Sequence, residues 1–485
     1  MIKSHDCIDH HDIVIVGAGL SGIAAAVELR REHPERTFVM LDQRDDLGGT
    51  WDLFRYPGIR SDSDMFTLGY AFKPWTQEKA IASGEAILDY LRETVADHDL
   101  QPHLRLGRRV RRVEWSSESS TWTVHVDGPD GVETYDCSFL YLAAGYYDND
   151  GHLPDFPGVE SFEGLLVHPQ EWPADLDCAG RRVAVIGSGA TAITLVPALA
   201  ETAEKVFMVQ RSPSYVAIDS DVDEEAERLR HELGDRAAFE LVRERNLRNQ
   251  QERYHAARTH PEDFKKPLFD AIEEIVGREV RERHFTPSYQ PWDQRLCLVP
   301  NGDLFHAIAD GRAEVVTGHI ATFTAHGLRM ESGEEIEADV VVAATGLKLV
   351  TFGKIDVHVD GERIDLAHCF TYKGVAFSGV PNLVTAFGYL NSSWTLRLEL
   401  VNRFWSALLR RMDEVGTTQV VPALSDEEAS MERRPWLTDV TSGYLVRHMA
   451  EMPAQGDHAP WINPQVHEQT KALLSDLDDG TLQFR

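Results

Sequence analysis

Cysteine is scarce and scattered in this chain. Its 485 residues hold five, Cys7, Cys137, Cys178, Cys297 and Cys369, all far apart in sequence. No disulfide framework is expected, and a reducing cytoplasm is the expected location. Basic residues are also few: 48 Lys and Arg face 79 Asp and Glu, leaving a net charge of −31. That field argues against nucleic acid and anionic membrane surfaces as partners. Long apolar runs are missing as well. The two longest, 13–27 and 183–200, contain glycine loops and read as a strand plus the start of a helix, so no transmembrane span is expected. Residues Met1 to Asp12 lack the apolar core of a signal peptide.

What the chain does have is two glycine loops in matching settings. Val14-Ile-Val-Gly17-Ala-Gly19-Leu-Ser-Gly22 follows the β-like run from Ile13 and precedes a helical stretch. In a strand–loop–helix unit, glycines let the backbone approach a pyrophosphate, which rests on the positive end of the helix. The next strand, Thr37 to Leu41, ends in Asp42, where a carboxylate would hold the hydroxyl pair of an adenosine ribose. The second loop is Val183-Ala-Val-Ile-Gly187-Ser188-Gly189-Ala190-Thr191-Ala192, with alanine in the third glycine position. Its second strand ends in Gln210-Arg211-Ser212. A guanidinium there suits a 2′-phosphate, which a carboxylate would repel, and predicts NADPH over NADH.

Two nucleotide sites in one chain suit electron transfer from a nicotinamide to a second dinucleotide cofactor. Disulfide reductases share that plan but need two cysteines at short spacing, which the sequence does not offer. Oxygen is the acceptor left.

Between the loops, Phe162-Glu-Gly164-Leu-Leu-Val-His168-Pro-Gln-Glu-Trp172-Pro173 resembles the fingerprint of the type I Baeyer–Villiger monooxygenases. The related flavin-containing monooxygenases usually end that motif in Tyr. Three further stretches carry the same resemblance. Gly48-Gly49-Thr50-Trp51-Asp52-Leu-Phe-Arg-Tyr56-Pro57-Gly58-Ile-Arg60-Ser-Asp62 is similar to the element that packs FAD in this family. Pro291-Trp292-Asp-Gln294-Arg295 looks like the segment with its active-site arginine. Leu142-Ala-Ala144-Gly145 and Ala344-Thr-Gly346 resemble its two crossovers. Within the family the chain most resembles the ethionamide-activating subgroup, densely in the cofactor loops and thinly between residues 215 and 285.

The resemblance implies FAD and NADPH as cofactors and a ketone or sulfide, with O₂, as substrates. In the family's reaction a C4a-peroxyflavin attacks a carbonyl to give an ester or lactone; heteroatom oxygenation of sulfides, thioamides or amines is the alternative. A flavin electron-transfer protein is a further alternative. Arg295 would stabilise the anions of that reaction, with Asp62 positioning it, or Asp64 in its place. Cofactor contact is implied for Gly17, Gly19, Gly22, Asp42, Gly49, Thr50, Trp51, Tyr56, Asp62 and Val110 on the FAD side. On the NADP side it is implied for Gly187, Ser188, Gly189, Ala190, Thr191, Arg211, Ser212 and Gln294. Gln294 departs from family members with Lys there, which leaves phosphate recognition to Arg211 and Ser212. His168 is read as a conformational residue at the joint of the domains. No metal site is expected.

The expected fold is α/β: two Rossmann-like dinucleotide-binding domains with a helical insertion. The FAD domain takes 1–148 and 376–485, the NADP domain 149–213 and 296–375, and the insertion 214–295. In the insertion, Ala226, Leu229 and Leu233, and Leu268, Ile272, Ile275 and Val276, recur at helical spacing and mark core faces.

Overall fold

A computed structural model describes residues 9–149, 153–438 and 443–485. Cys7 lies outside them. The strand Asp9–Val16 runs parallel to Phe38–Leu41 on one side and to Gly131–Leu142 on the other. Its residues Ile13 to Val16 are all buried, as a parallel strand covered on both faces requires. The antiparallel strands Arg109–Ser116 and Thr121–Gly128 alternate buried and partly open positions instead. Trp115 and Trp122 face each other in register there, rings 5.5 Å apart.

The chain comes back to this nine-stranded sheet twice. Leu383–Thr385 pairs with Gly131–Leu142. Asp356–Val359 pairs with Arg109–Ser116 and carries Glu362–Ile364 on its outer edge. Residues before 376 therefore also contribute strands to this sheet, as a hairpin turned at Asp360-Gly361, both with positive φ.

The second sheet is wholly parallel, in the order Ala313–Thr317, Lys205–Gln210, Arg182–Ile186, Val340–Ala343 and Leu165–Val167. The insertion holds four helices, Glu224–Leu233, Asp235–Thr259, Pro261–Val276 and Arg278–His284. It is closed by pairing of Val216–Asp219 with Cys297–Pro300. Its apolar residues enter two cores. Ala226, Phe239 and Val242 join the core under the first sheet, whereas Ile272 and Phe285 join the core of the second. Leu229, Leu268, Ile275 and Val276 are half-buried. Leu233, expected on the core face, is exposed because it ends its helix.

Candidate functional site

Both glycine loops bend because backbone must pass close beneath them. A Cβ on Gly17 would stand 2.3 Å from the Ala143 carbonyl oxygen, and one on Gly187 would stand 2.3 Å from that of Ala344. The two crossovers thus run under equivalent points of the two units. Beyond each loop starts a helix, Leu20–Glu32 or Ala190–Leu199, whose first turn has no side-chain cap and no acidic residue. Unpaired N–H groups at such ends suit a pyrophosphate. This is the fit that dinucleotides need at both loops.

A single cavity of about 950 Å³ runs along both loops. Its wall includes Gly17, Gly19, Asp42, Gly49, Thr50, Trp51, Tyr56 and Val110 from the first unit. Gly187, Ser188, Gly189, Ala190, Thr191, Arg211 and Ser212 come from the second, with Asp62, Gln294 and Arg295 between. Gly22 lies behind the wall. A Cβ there would meet the Gly17 carbonyl oxygen at 1.9 Å, so its part is helix packing rather than ligand contact.

Asp42 is buried, accepting from the Ala18 amide at 2.6 Å and the Arg44 amide at 2.9 Å. Burial pushes its carboxyl above the usual range against those hydrogen bonds. Gln210 turns inward, its amide donating to the His284 carbonyl and the Thr317 hydroxyl, and Arg211 and Ser212 stay exposed. Ser188 Oγ lies 2.9 Å from Ser214 Oγ and donates to the Ser212 carbonyl at 3.1 Å, which joins loop to strand end.

Residues 60 to 64 alternate between neighbours. Arg60 pairs with Asp303 of the second unit at 2.5 Å. Asp62 pairs with Arg295, Oδ2 to Nη2, at 2.6 Å. Asp64 caps the helix Met65–Leu68 through the Thr67 amide and accepts from Asn246 and Gln250 of the insertion. Asp64 is thereby engaged elsewhere and Asp62 holds the arginine. Tyr56 bridges the units too, with its hydroxyl bonded to Thr191 and pushed by burial up to about 12.

The 162–173 motif is not on the cavity wall. Phe162 packs edge-on to Phe323, and Gly164 leaves no room for a side chain against Phe162 and the Asp339 carbonyl. His168 is buried and accepts from the Gln170 amide. Gln170 in turn donates to the Asp148 carbonyl at 2.8 Å, beside the first crossover. Trp172 packs on the core of the second unit, which also takes in Phe54 and Tyr56, and Pro173 opens a turn closed by the Leu176 amide.

Sequence reasoning passed over Tyr146 and Tyr147 on the cavity wall, whose hydroxyls lie 2.7 Å apart. Burial drives the Tyr147 hydroxyl well up, with Arg295 and Asp62 close enough to affect it. Tyr146 stacks on Trp394, rings 5.4 Å apart. The available signal was a pair of tyrosines directly after the first crossover.

The four described cysteines are free and buried. The family model described as pyridine nucleotide-disulphide oxidoreductase matches residues 14–260. The chain is 44% identical to the FAD-containing monooxygenase EthA of Mycobacterium tuberculosis, over 98% of each chain. The chain belongs to the FAD-containing monooxygenases. This monooxygenase is also 42% identical to the probable FAD-binding monooxygenase AlmA of Acinetobacter baylyi, over 98% of its own length and 96% of that protein. Among solved structures, cyclohexanone monooxygenase from Rhodococcus sp. Phi1 bound to NADP⁺ is similar to it at a TM-score of 0.76 and 22% identity, over 99% of both chains. An oxidized steroid monooxygenase bound to NADP aligns at 0.77 and 22%, over 98% of this chain and 99% of that one. These two share its fold. No helix among the described residues is long and apolar enough to cross a membrane.

Proposed function

We propose that this FAD-containing monooxygenase uses NADPH and O₂ to convert small linear or aryl-substituted ketones to esters or lactones. The observation that carries the reading is the Arg295–Asp62 ion pair on the wall of a cavity shared by both nucleotide loops. An FAD unit made from both chain ends, with the NADP unit inserted in it, frames that cavity. FAD, when bound, supplies the two-electron chemistry that activates O₂ after reduction by the nicotinamide.

The chain's residues supply position and charge. Gly17, Gly19 and Gly49 leave backbone free to approach the FAD pyrophosphate, and Asp42 takes the ribose hydroxyls. Trp51, Tyr56 and Val110 give apolar contact. Ser188, Gly189, Ala190 and Thr191 serve the NADPH pyrophosphate, while Arg211 and Ser212 take its 2′-phosphate and Gln294 adds a neutral donor. Arg295 holds the negative charge that grows on the substrate's carbonyl oxygen, and Asp62 fixes the guanidinium so that no reorganisation is needed as charge develops. His168 and Trp172 fix the joint between the units. The cyclohexanone named for one structural neighbour agrees with a carbonyl substrate. Oxygenation of sulfides, thioamides or amines is the second reading.

Arg295→Ala tests this directly. Ketone oxygenation should fall by about 10²–10³, the effect of removing one preorganised donor. The protein should still fold, bind FAD and be reduced by NADPH. Rapid-mixing spectra with product analysis on a panel of methyl ketones and sulfides separate those steps. Near wild-type ketone conversion would sink the assignment, and conversion of sulfides alone would select the second reading.

A further inference from the structure

The long insertion helix Asp235–Thr259 places Asn246, Gln250, Tyr254 and Arg258 four residues apart, hence along one face. All four touch segments that carry the Arg295–Asp62 pair. On the Asp62 side, the amides of Asn246 and Gln250 donate to Asp64 at 3.0 and 3.1 Å. Gln250 also accepts from the Ser392 hydroxyl at 2.8 Å and the Ser393 amide at 3.3 Å, and Ser392 lies on the cavity wall. On the Arg295 side, Tyr254 meets Trp292 edge-on, rings 5.6 Å apart. Arg258 donates to Asp293 at 2.6 Å and to the Pro291 carbonyl at 3.2 Å. Trp292 holds a φ of +69°, a strained conformation for a bulky residue that persists only where neighbours enforce it.

We propose that this stripe is a positioning element: one rigid helix sets the register of Asp62 and Arg295 against each other and against the cavity wall. The inference rests on the oxygenating role given to Arg295 above. Gln250 and Arg258 act through the loops they hold and are positioning residues. No local motif marks them, since the chain between 215 and 285 has only a thin likeness to the family, yet one helix reaches both segments.

The test uses the holoenzyme with Gln250→Ala, Arg258→Ala and Arg258→Lys, and Arg248→Ala on the same helix but off the stripe. Misplacing a catalytic group by about 1 Å costs up to roughly 10²-fold, so the two alanine variants on the stripe should lose about tenfold to hundredfold in oxygenation turnover. Flavin content and the rate of flavin reduction by NADPH should stay within about twofold, with hydrogen peroxide released in place of product. Arg258→Lys should recover part of the loss, and Arg248→Ala should match wild type. In an Asp62→Ala background, Gln250→Ala should add little, because residues in one network do not act independently. The proposal is overturned by full additivity in that background, by equal loss of flavin reduction, or by wild-type turnover in both stripe variants. If Arg295→Ala itself turned over ketones normally, the assignment of Arg295 would fail first, which keeps the two failures apart.

Discussion

The two nucleotide units share a chain path and differ in what they bury. In each, the first glycine lies against the carbonyl of a crossover, Ala143 or Ala344. The first unit is closed in: Gly22 leaves no room for a methyl, Gly19 faces Gly49 across the loop, and the acidic strand end Asp42 is buried. The second is open. Ala192 replaces the third glycine and is fully buried, nothing lies within 4 Å of a Cβ on Gly189, and Arg211 at its strand end is exposed. A closed site suits a ligand that stays through many turnovers, and an open one suits a ligand that enters and leaves in each.

The sharpest way to break that contrast is to add one methyl to each loop. Gly22→Ala should cost roughly 3 kcal/mol or more through overpacking against the Gly17 carbonyl and yield protein low in FAD. Gly189→Ala should fold with its full flavin and lose only nicotinamide affinity. Thermal melting and the flavin absorbance per chain measure both, and normal FAD content in Gly22→Ala would remove the argument from tightness.

Arg211→Ala sharpens the comparison at the open site. Charge-assisted hydrogen bonds contribute about 1.5–3 kcal/mol each, so kcat/KM with NADPH should fall by roughly 10- to 100-fold while NADH is little affected. Steady-state kinetics with both coenzymes decides it; equal losses would return Arg211 to an exposed strand end.

The smallest effect is in pH. Both units bury a titratable group whose ordinary pKa is shifted by that burial, Asp42 upward in the first and His284 downward behind the strand end of the second. Burial lowers His284 from 6.5 to about 4, so the unfolded chain takes up a proton first as pH falls. The stability tied to neutral His284 is present above about 6.5 and is lost as pH drops toward 4. Asp42 is shifted upward, so its share of stability runs the other way and declines as pH rises from the acid range. Melting temperature followed from pH 7 to about 4 should fall by a few degrees less in His284→Gln than in wild type. An unchanged slope would show that His284 is not neutralised by its surroundings.

The glycine loops, their strand ends and the 162–173 motif were readable because each is a local demand: a tight turn, a charge at a strand end, a place without room for a side chain. Such demands act between residues close in sequence and leave a spacing behind. The α/β class and an acidic partner for Arg295, Asp62 or Asp64, followed from the same motifs and from family likeness. Other features have no local cause. The return of Asp356–Val359 to the first sheet is a pairing with Arg109–Ser116, far away in the chain, and a strand of four residues carries little pattern. The choice of Asp62 over Asp64 depends on the insertion, which occupies Asp64 through Asn246 and Gln250. The sequence by itself determined two dinucleotide loops, the signs of charge beside them and a candidate oxygenating arginine. The tertiary structure alone decided that one cavity joins both loops and that a distant helix braces the ion pair between them, because contacts between remote segments depend on how finished elements pack.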